Sequence, residues 1–288
     1  MELRQAKRKN AKMKLALQGS AGSGKTYSAL LMASGMTDWS KIGVVDSENN
    51  SAELYSHLGD YNVLQLEKPF TPERYIKAIE VCEQAGMEVI IIDSITPEWD
   101  GPGGILSIHG AMAGNSFTNW NNVKPLHNKF VQKILESNCH IICTVRTKTD
   151  YAMTEKNGKV VPEKVGLKGI QNDAIEYEFT IVFDLDIKNF ATASKDRTGL
   201  FSNSMSEVIT AEHGKRILKW CYEGISLDEV RQQIKEAKTV DELRHILKTY
   251  PEFRKEIEAL AINRKDVLHT EIINQNKIGS NGTGKGKK

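Results

Sequence analysis

Short aliphatic runs alternate with amphipathic stretches along most of the chain. The aliphatic runs are continuous, as in "VIII" from Val89, which is typical of strands buried on both faces of a parallel sheet. Strands are predicted to begin at Lys14, Ile42, Glu88, His140 and Phe179. Helices are predicted over residues 25–36, 72–85, 122–137 and 211–222. This alternation predicts an α/β fold in which helices flank a mostly parallel central sheet.

Two connections between the predicted elements are unusually long. Residues 96–121 are rich in Gly, Asn and Ser and contain Trp99 and Trp120. Residues 147–173 contain Tyr151 and five lysines, Lys148, Lys156, Lys159, Lys164 and Lys168. Long loops inside a compact domain are usually functional or disordered. The two tryptophans are expected to pack in the core, because tryptophan is well buried on average, and stacking on bases is the alternative.

The chain changes character after Gly224. Two stretches open with a capping-box pattern, Ser226 with Glu229 and Thr239 with Glu242, and a third helical stretch follows. The pattern predicts a small helical appendage. The predicted segments are a basic arm over 1–13, a core over 14–222, a helical subdomain over 223–272 and a disordered Gly/Lys tail over 273–288.

The composition narrows the class of protein. Of the 288 residues 40% are hydrophobic, and the formal net charge of +2 lacks the basic excess of a nucleic-acid coat protein. Four cysteines and seven histidines show no disulfide or metal-ligand spacing. The longest aliphatic run is too short to cross a bilayer. These features predict a reduced, cytoplasmic protein with no structural metal and no membrane partner.

The segment "GSAGSGKT" lies between the first predicted strand and the first predicted helix and fits G-x-x-x-x-G-K-[ST]. Its glycines let backbone N–H groups face phosphates, and the helix N-terminus favours negative charge. Lys25 is expected to reach the β- and γ-phosphates, and the Thr26 hydroxyl is expected to bind Mg²⁺. We therefore predict that ATP and Mg²⁺ bind here, with the contacts made by Gly19, Ser20, Ala21, Gly22, Ser23, Gly24, Lys25 and Thr26.

Two carboxylates are candidates for chemistry beside this segment. Asp93 follows four aliphatic residues and is expected at the carboxyl edge of the sheet, where it would hold Mg²⁺. Glu48 follows the second strand and could accept a proton from water in line with the γ-phosphate. The alternative is local: Ser47, Asn50 or Ser51 would cap the next helix, and Glu48 would only favour its dipole.

The order of the motifs resembles the RecA-like recombination ATPases over about residues 12–220: the phosphate-binding segment, "VVDSE", "IIIDS", and a strand followed by a Lys-rich loop. The resemblance implies a RecA-like P-loop core with Glu48 as the general base. "KDRTG" is similar to the K-N-R-F-G element of RadA and the K-x-R-x-G element of DnaB-type helicases. It implies that Lys195 and Arg197 act on the γ-phosphate of a neighbouring subunit, although Asp196 and Thr198 replace the asparagine and phenylalanine of RadA. A hairpin turn with solvated charges is the alternative.

Three further segments, "DSITPEWDGPGG", "NNVKPLHNKF" and "ICTVRTKTDY", look like the phage-encoded RecA-like ATPases of the Sak-four single-strand-annealing group. This resemblance implies single-stranded DNA as a partner, a homo-oligomeric filament or ring, a single-strand-binding protein as a further candidate partner, and a location in the host cytoplasm. It also implies that Arg146 senses the γ-phosphate, with a solvated strand-end arginine as the alternative. Lysines interleaved with aromatics suit single strands, so the implied DNA-binding residues are Lys148, Tyr151, Lys156, Lys159, Lys164 and Lys168.

Three functions stay open at this point. The first is an ATP-dependent protein that binds single-stranded DNA and promotes annealing or strand exchange. The second is a ring motor or helicase loader of the DnaB type. The third is a small-molecule phosphotransferase, which would need an acceptor substrate and should work as a monomer.

Overall fold

The structure is a computed structural model in which residues 11–156, 159–202, 204–222, 225–250 and 253–280 are described. Side chains are described for these residues except 150–165 and 271–280. The chain divides into two compact units, Ala11–Cys221 and a smaller unit that contains the helices after Tyr222. The larger unit holds every candidate site residue.

The strands of the larger unit are β1 Lys14–Gly19, β2 Ile42–Asp46, β3 Asn62–Gln65, β4 Val89–Asp93, β5 His140–Lys156, β6 Lys159–Gly169, β7 Ile181–Leu185, β8 Phe190–Asp196 and β9 Glu207–Val208. The helices are α1 Lys25–Met36, α2 Pro72–Gln84, α3 Thr96–Asp100, α4 Ile105–Ala111, α5 Ser116–Glu136, α6 Ile175–Glu178 and α7 Ala211–Tyr222. Two 3₁₀ segments, Trp39–Lys41 and Ser51–Leu58, flank β2. The smaller unit contains α8 Leu227–Glu236, α9 Val240–Thr249 and α10 Arg254–Ser280.

The sheet has the strand order β3-β2-β4-β5-β1-β7-β8-β9, with β6 paired to β5 outside this path. The pairs from β3 to β7 are parallel, and the β5–β6, β7–β8 and β8–β9 pairs are antiparallel. Every residue of β1, β2 and β4 is buried, because helices cover both faces of a parallel sheet. The predicted α/β fold with a mostly parallel central sheet is confirmed.

Two helices of the larger unit approach each other through glycines. A Cβ atom placed on Gly35 of α1 would lie 1.8 Å from the carbonyl oxygen of Ala211, at the start of α7. A Cβ on Gly214 of α7 would lie 2.0 Å from the carbonyl oxygen of Met32. Side chains at either position would therefore force apart the backbones of α1 and α7.

The prediction of a loop over residues 96–121 was wrong. This segment forms α3, α4 and the start of α5, which begins at Ser116 rather than near residue 122. Pro97 stands in the first turn of α3, and the Asn115 side chain caps α5 by accepting from the Phe117 N–H at 2.8 Å. The Gly, Pro and Asn residues that indicate a loop are therefore the turns and caps of short helices.

The prediction of a loop over residues 147–173 was also wrong. Strand β5 continues from the sheet to Lys156, and β6 returns antiparallel to it as far as Gly169. The segment lacks a long apolar run, but threonine and valine recur along it, and β-branched residues favour strands. The antiparallel pair formed by 147–156 and 159–169 is called the hairpin below.

The described part of the smaller unit contains both predicted helix caps. The Ser226 side chain and the Glu229 side chain form a complete capping box at α8. At α9 the Thr239 hydroxyl accepts from the Glu242 N–H at 3.1 Å, while the Glu242 carboxylate accepts from the Lys238 N–H instead of closing the box. Helix α10 runs to Ser280, into the tail predicted to be disordered, because residues 271–278 contain no glycine or proline to end it. Across the described residues, no helix combines the length and the apolar character needed to span a membrane.

Candidate functional site

The phosphate loop, residues 19–26, links the buried strand β1 to α1. Gly22 and Gly24 have φ angles of +80° and +78°, a left-handed conformation that L side chains rarely adopt. A Cβ on Gly24 would also meet the Asn189 side-chain nitrogen at 2.6 Å. Gly24 is the N-cap of α1 and provides no capping side chain, so the first N–H groups of the helix stay available to an anion.

The side chains of the phosphate loop fit a phosphate ligand. The Ser23 hydroxyl is buried and has no hydrogen-bond partner. The Lys25 ammonium donates to the carbonyl oxygens of Gly19 at 3.0 Å and Ser20 at 2.8 Å. Burial lowers the pKa of Lys25, while the nearby Asp93 carboxylate opposes that change. The loop thus holds a buried cation and an unpaired hydroxyl beside open backbone donors.

Asp93 lies at the carboxyl end of β4, directly opposite Asp46 at the end of β2. Asp93 is 2% exposed, its Oδ2 accepts from the Thr26 hydroxyl at 2.7 Å, and its Oδ1 accepts from the Thr144 hydroxyl. Burial raises the pKa of Asp93, and the two hydroxyl donors reduce that rise. A hydroxyl and a carboxylate in contact are hard oxygen donors that suit Mg²⁺, so Thr26 and Asp93 are the residues that would hold it.

The two carboxylates after β2 have different roles in the structure. Asp46 is fully buried and accepts from the N–H groups of Glu48 at 2.6 Å and Ala52 at 2.9 Å. Asp46 therefore caps the 3₁₀ segment Ser51–Leu58, and the predicted alternative caps at Ser47, Asn50 or Ser51 were wrong. Glu48 is left to extend its carboxylate toward the phosphate side of the sheet.

Two donors hold the Glu48 carboxylate. The Ser94 hydroxyl donates to Glu48 Oε1 at 2.7 Å, and the Arg146 Nε donates to the same oxygen at 2.8 Å. Arg146 Nη2 also forms an ion pair with Glu48 Oε2. Ser94 is 1% exposed, and its backbone N–H donates to the Ser47 hydroxyl at 2.9 Å. A chain of direct contacts therefore joins Thr26 and Asp93 to Ser94, Glu48 and Arg146.

Arg146 lies where β5 leaves the sheet. Its side chain is 51% exposed, yet it binds Glu48, so it differs from the solvated strand-end arginine of the alternative interpretation. Its N–H donates to the Thr96 hydroxyl at 2.9 Å, and its carbonyl oxygen accepts from the Ile170 N–H at 2.7 Å. The backbone of Arg146 is thus fixed between the start of α3 and the end of β6.

Lys195 and Arg197, called the cation pair below, lie far from the phosphate loop of their own chain. Lys195 pairs with Val182 near the start of β7, whereas Gly19 pairs with Leu185 at its end. At about 3.3 Å per residue this places the cation pair about 10 Å away along the strand direction, toward the opposite edge of the sheet. The Lys195 ammonium donates to the carbonyl oxygens of Glu176 and Tyr177, each at 2.7 Å, and Arg197 Nη2 donates to Tyr177 at 3.0 Å.

A groove of about 720 Å³ opens beside the hairpin. Its wall contains Trp99 and Trp120, whose ring centroids are 5.9 Å apart. Trp120 also stacks on His109, with 4.2 Å between the ring centroids. Phe117 also lines the groove and is 83% exposed. Trp99 and Trp120 are half-buried, so the predicted core packing of these tryptophans was wrong. We call this the aromatic groove.

Lysines and a buried polar cluster complete the aromatic groove. Lys124, Lys148 and Lys168 line it. Beneath it the fully buried Glu98 carboxylate lies 3.1 Å from His127 Nδ1 and accepts from Gln171 Nε2 at 3.2 Å. Glu98 therefore joins α3 to α5 and to the segment that follows β6.

The predicted DNA-binding residues can be placed only in part. Lys148 is exposed and Lys168 is half-buried, with its ammonium 2.7 Å from the Asp173 carboxylate. Both line the aromatic groove. The remaining predicted residues, Tyr151, Lys156, Lys159 and Lys164, lie outside the side chains that the structure describes.

Several residues of these sites were missed by sequence reasoning. Ser94 stands in the quoted "IIIDS" motif, but nothing in its spacing indicates a bond to Glu48. Thr144 lies inside an apolar strand, where its hydroxyl has no sequence signal. Lys124 has no distinctive sequence context, and only the position of α5 shows that it lines the aromatic groove. Asn189 reaches the phosphate loop only because the β7–β8 turn folds beside it.

The sheet, the phosphate loop and the Thr26–Asp93 contact define a P-loop nucleotide-hydrolysing protein. A family model described as an AAA domain matches residues 11–218. The chain belongs to this AAA domain family, which makes it an ATPase-type enzyme of a class that generally binds ATP with Mg²⁺. A comparison with curated proteins gave no match.

Proposed function

We propose that this ATPase binds single-stranded DNA and promotes strand annealing or strand exchange, hydrolysing ATP at the interfaces of a homo-oligomeric filament or ring. The proposal extends the sequence resemblance to RecA-like ATPases and to the Sak-four single-strand-annealing group. Its mechanism needs two surfaces of each chain, the phosphate loop and the cation pair, to meet across a subunit boundary.

The aromatic groove is the observation that carries the proposal. The exposed Phe117 ring and the half-buried Trp99 and Trp120 offer aromatic surface for bases. Lys124 and Lys148 offer charges for the sugar–phosphate backbone, beside Lys168, which pairs with Asp173. A duplex would keep its bases stacked within the helix, so the exposed Phe117 ring favours an unpaired strand. The groove also adjoins Arg146, because Ile170 lines the groove and donates to the Arg146 carbonyl oxygen.

The residues around Glu48 can perform hydrolysis. Lys25 can exchange its two carbonyl acceptors for phosphate oxygens, and Glu48 can accept a proton from the attacking water while the Ser94 hydroxyl holds the carboxylate. Bound Mg²⁺ would neutralise charge on the phosphates. The Arg146 guanidinium forms an ion pair with the Glu48 carboxylate in this structure. A bound γ-phosphate would attract the guanidinium and so release the carboxylate to act as a base.

The position of the cation pair supports the proposed action in trans. It lies about 10 Å from the phosphate loop of its own chain along the strand direction, and both of its cations bind carbonyl oxygens at the end of α6. An arginine supplied to a γ-phosphate stabilises charge in the transition state and is worth about 10³-fold or more in rate. The proposed site is therefore complete only when two copies of the chain are in contact.

The aromatic groove is tested by Trp120→Ala. Losing one stacked base costs about 1–3 kcal/mol, which weakens single-stranded DNA binding by about 5- to 150-fold in a fluorescence-anisotropy titration at fixed low salt. Phe190→Ala, which removes a partly exposed aromatic on β8, is the control and should bind as the wild type does. ATP hydrolysis by the wild type should rise when single-stranded DNA is added. Equal binding by Trp120→Ala and wild type, or no DNA binding at low salt, would refute the proposal.

The shared ATP site is tested by mixing inactive chains. Arg197→Ala should keep nucleotide binding and lose hydrolysis, because the cation for the neighbouring γ-phosphate is missing. Glu48→Gln should also keep binding and lose hydrolysis, because the general base is missing. A mixture of the two variants should regain part of the ATP turnover. The Arg197→Ala chain keeps Glu48 and its phosphate loop, and the Glu48→Gln chain supplies an intact Arg197 to that site. Lys25→Ala should lose nucleotide binding altogether. Mixtures that stay as inactive as the separate variants would exclude action in trans.

A further inference from the structure

The end of β8 is organised by one carboxylate. Asp196 Oδ1 accepts from the N–H of Thr198 at 2.7 Å and from its hydroxyl at 2.5 Å. Asp196 Oδ2 accepts from the Phe201 N–H at 2.7 Å and from the N–H and hydroxyl of Ser202, both at 3.1 Å. These five donors close residues 196–202 into a compact loop, and Arg197 stands inside it.

This loop rests on α7. Phe201 is 3% exposed, and its ring stacks on His213 with 5.7 Å between the centroids. The Arg216 guanidinium lies 4.5 Å from the centroid of the Phe201 ring, and its Nη2 donates to the Leu200 carbonyl oxygen at 2.5 Å. The loop that Asp196 closes is therefore anchored to a long helix of the larger unit.

The cation pair is held at both ends. The side-chain heads of Lys195 and Arg197 bind the carbonyl oxygens at the end of α6, while the loop closed by Asp196 fixes the backbone between and after them. An acidic residue between two cations would ordinarily form an ion pair with them. In the described structure the Asp196 carboxylate instead receives its donors from residues 198–202, and the two cations bind the carbonyl oxygens at the end of α6.

The electrostatics of Asp196 agree with this geometry. Burial would raise the pKa of Asp196, but the hydrogen bonds from Thr198, Phe201 and Ser202 outweigh it and lower the pKa. Asp196 therefore stays ionised at neutral pH, and it keeps the charge that makes these hydrogen bonds strong. An aspartate at this position, where RadA has asparagine, can accept hydrogen bonds with both of its oxygens from residues 198–202.

We propose that Asp196 is the positioning residue of the cation pair, setting where Arg197 meets the nucleotide held by a neighbouring chain. Asp196 does not itself touch nucleotide, and its effect reaches the reaction through Arg197. This inference rests on the proposed action of the cation pair in trans.

The test is a complementation experiment with Asp196→Ala. Alone, the variant should bind ATP as the wild type does and lose about 10- to 100-fold in kcat, because small misplacements of a catalytic group cost about this much. Mixed with Glu48→Gln, the Asp196→Ala variant should regain ATP turnover. The Glu48→Gln chain supplies a well-placed cation pair, and the Asp196→Ala chain supplies an intact phosphate loop and Glu48. Mixed with Arg197→Ala it should regain none, since both chains then lack effective cations. Asp60→Ala, which removes an exposed acid elsewhere, is the control and should keep wild-type kcat.

The mixtures separate failure of this inference from failure of the proposed function. If Arg197→Ala and Glu48→Gln do not rescue each other, action in trans is excluded and the role of Asp196 falls with it. If they do rescue each other, any of three results overturns the role of Asp196 alone. Asp196→Ala could keep the wild-type kcat, its activity could be restored by mixing with Arg197→Ala, or mixing with Glu48→Gln could fail to restore it. Should Asp196→Ala not fold, Asp196→Asn replaces it in the same mixtures, with the same expected pattern and a smaller loss.

Discussion

Lys14 gives a quantitative prediction about the stability of the ATPase core. It is the first residue of β1, it is 5% exposed, and its ammonium donates to the carbonyl oxygens of Ser137 at 2.8 Å and Cys139 at 2.5 Å. These carbonyls lie between α5 and β5, where the helix leaves them without helical partners. Burial lowers the pKa of Lys14 from 10.5 to about 8.

The sign of the pH dependence follows from that shift. Between pH 8 and 10.5 the unfolded chain binds a proton at Lys14 that the folded chain has lost, so raising the pH removes a cost of folding. The whole shift corresponds to about 3 kcal/mol, and the part that falls between pH 7 and pH 9 to about 1.3 kcal/mol. The folded protein should therefore gain stability over this window from Lys14 alone.

Urea unfolding of wild type and Lys14→Met at pH 7, 8 and 9 measures this effect. Methionine keeps the length of the side chain and removes the titrating group, so the titrations of groups that do not interact with Lys14 cancel in the difference. The free energy of unfolding of the wild type should rise relative to Lys14→Met by about 1.3 kcal/mol from pH 7 to pH 9. Lys129→Met removes one positive charge from an exposed position on α5 and is the control for net charge. A difference that stays flat, or falls with pH, would refute the burial of a titrating ammonium at this position.

Two further predictions follow from single contacts. Gly35→Ala should lower the free energy of unfolding by about 1–3 kcal/mol in urea titrations, because its Cβ would lie 1.8 Å from a carbonyl oxygen of α7. Gly110→Ala in α4 is the control, since an added Cβ there meets nothing within 4 Å, and equal stability of the two variants would contradict the close approach of α1 and α7. Ser94→Ala should lower kcat by about 10-fold or more with little change in the KM for ATP, since a hydrogen bond to a charged acceptor is worth about 1.5–3 kcal/mol. An unchanged kcat in steady-state ATPase assays would show that Ser94 does not hold Glu48 for catalysis.

The parallel core was accessible to sequence reasoning because its signals are local. The central strands contain short apolar runs, such as Leu15–Leu17 and Val89–Ile92, and the helix from Lys25 to Met36 has the predicted bounds. The residue order around Gly19–Thr26 and Asp93 also follows from short motifs whose geometry is set by neighbouring backbone. Prediction succeeded where a few consecutive residues determine the structure.

The structures of the two long connections, residues 96–121 and 147–173, were not predicted from the sequence, because they depend in part on contacts between distant residues. Glycine and asparagine between residues 96 and 121 indicate a loop, but helices form there, and the buried Glu98–His127 contact joins α3 to α5. The hairpin lacks the long apolar run by which the central strands were predicted, although its strands are neighbours along the chain and Asn-Gly, a common turn pair, stands between them in the sequence. The contact of Arg146 with Glu48 spans 98 residues and has no signature in either segment.

The uninterrupted course of β5 constrains how this protein can evolve. The strand leaves the centre of the sheet after Arg146, which contacts Glu48, and enters the aromatic groove at Lys148 without a turn between them. Because side chains alternate along a strand, Arg146 and Lys148 share one face, and inserting or deleting a single residue between them would turn one of them to the other side. Ordinary loops tolerate changes of length, whereas this junction tolerates substitutions only. Homologous sequences should therefore vary in residue type here and keep the spacing between the two cations fixed.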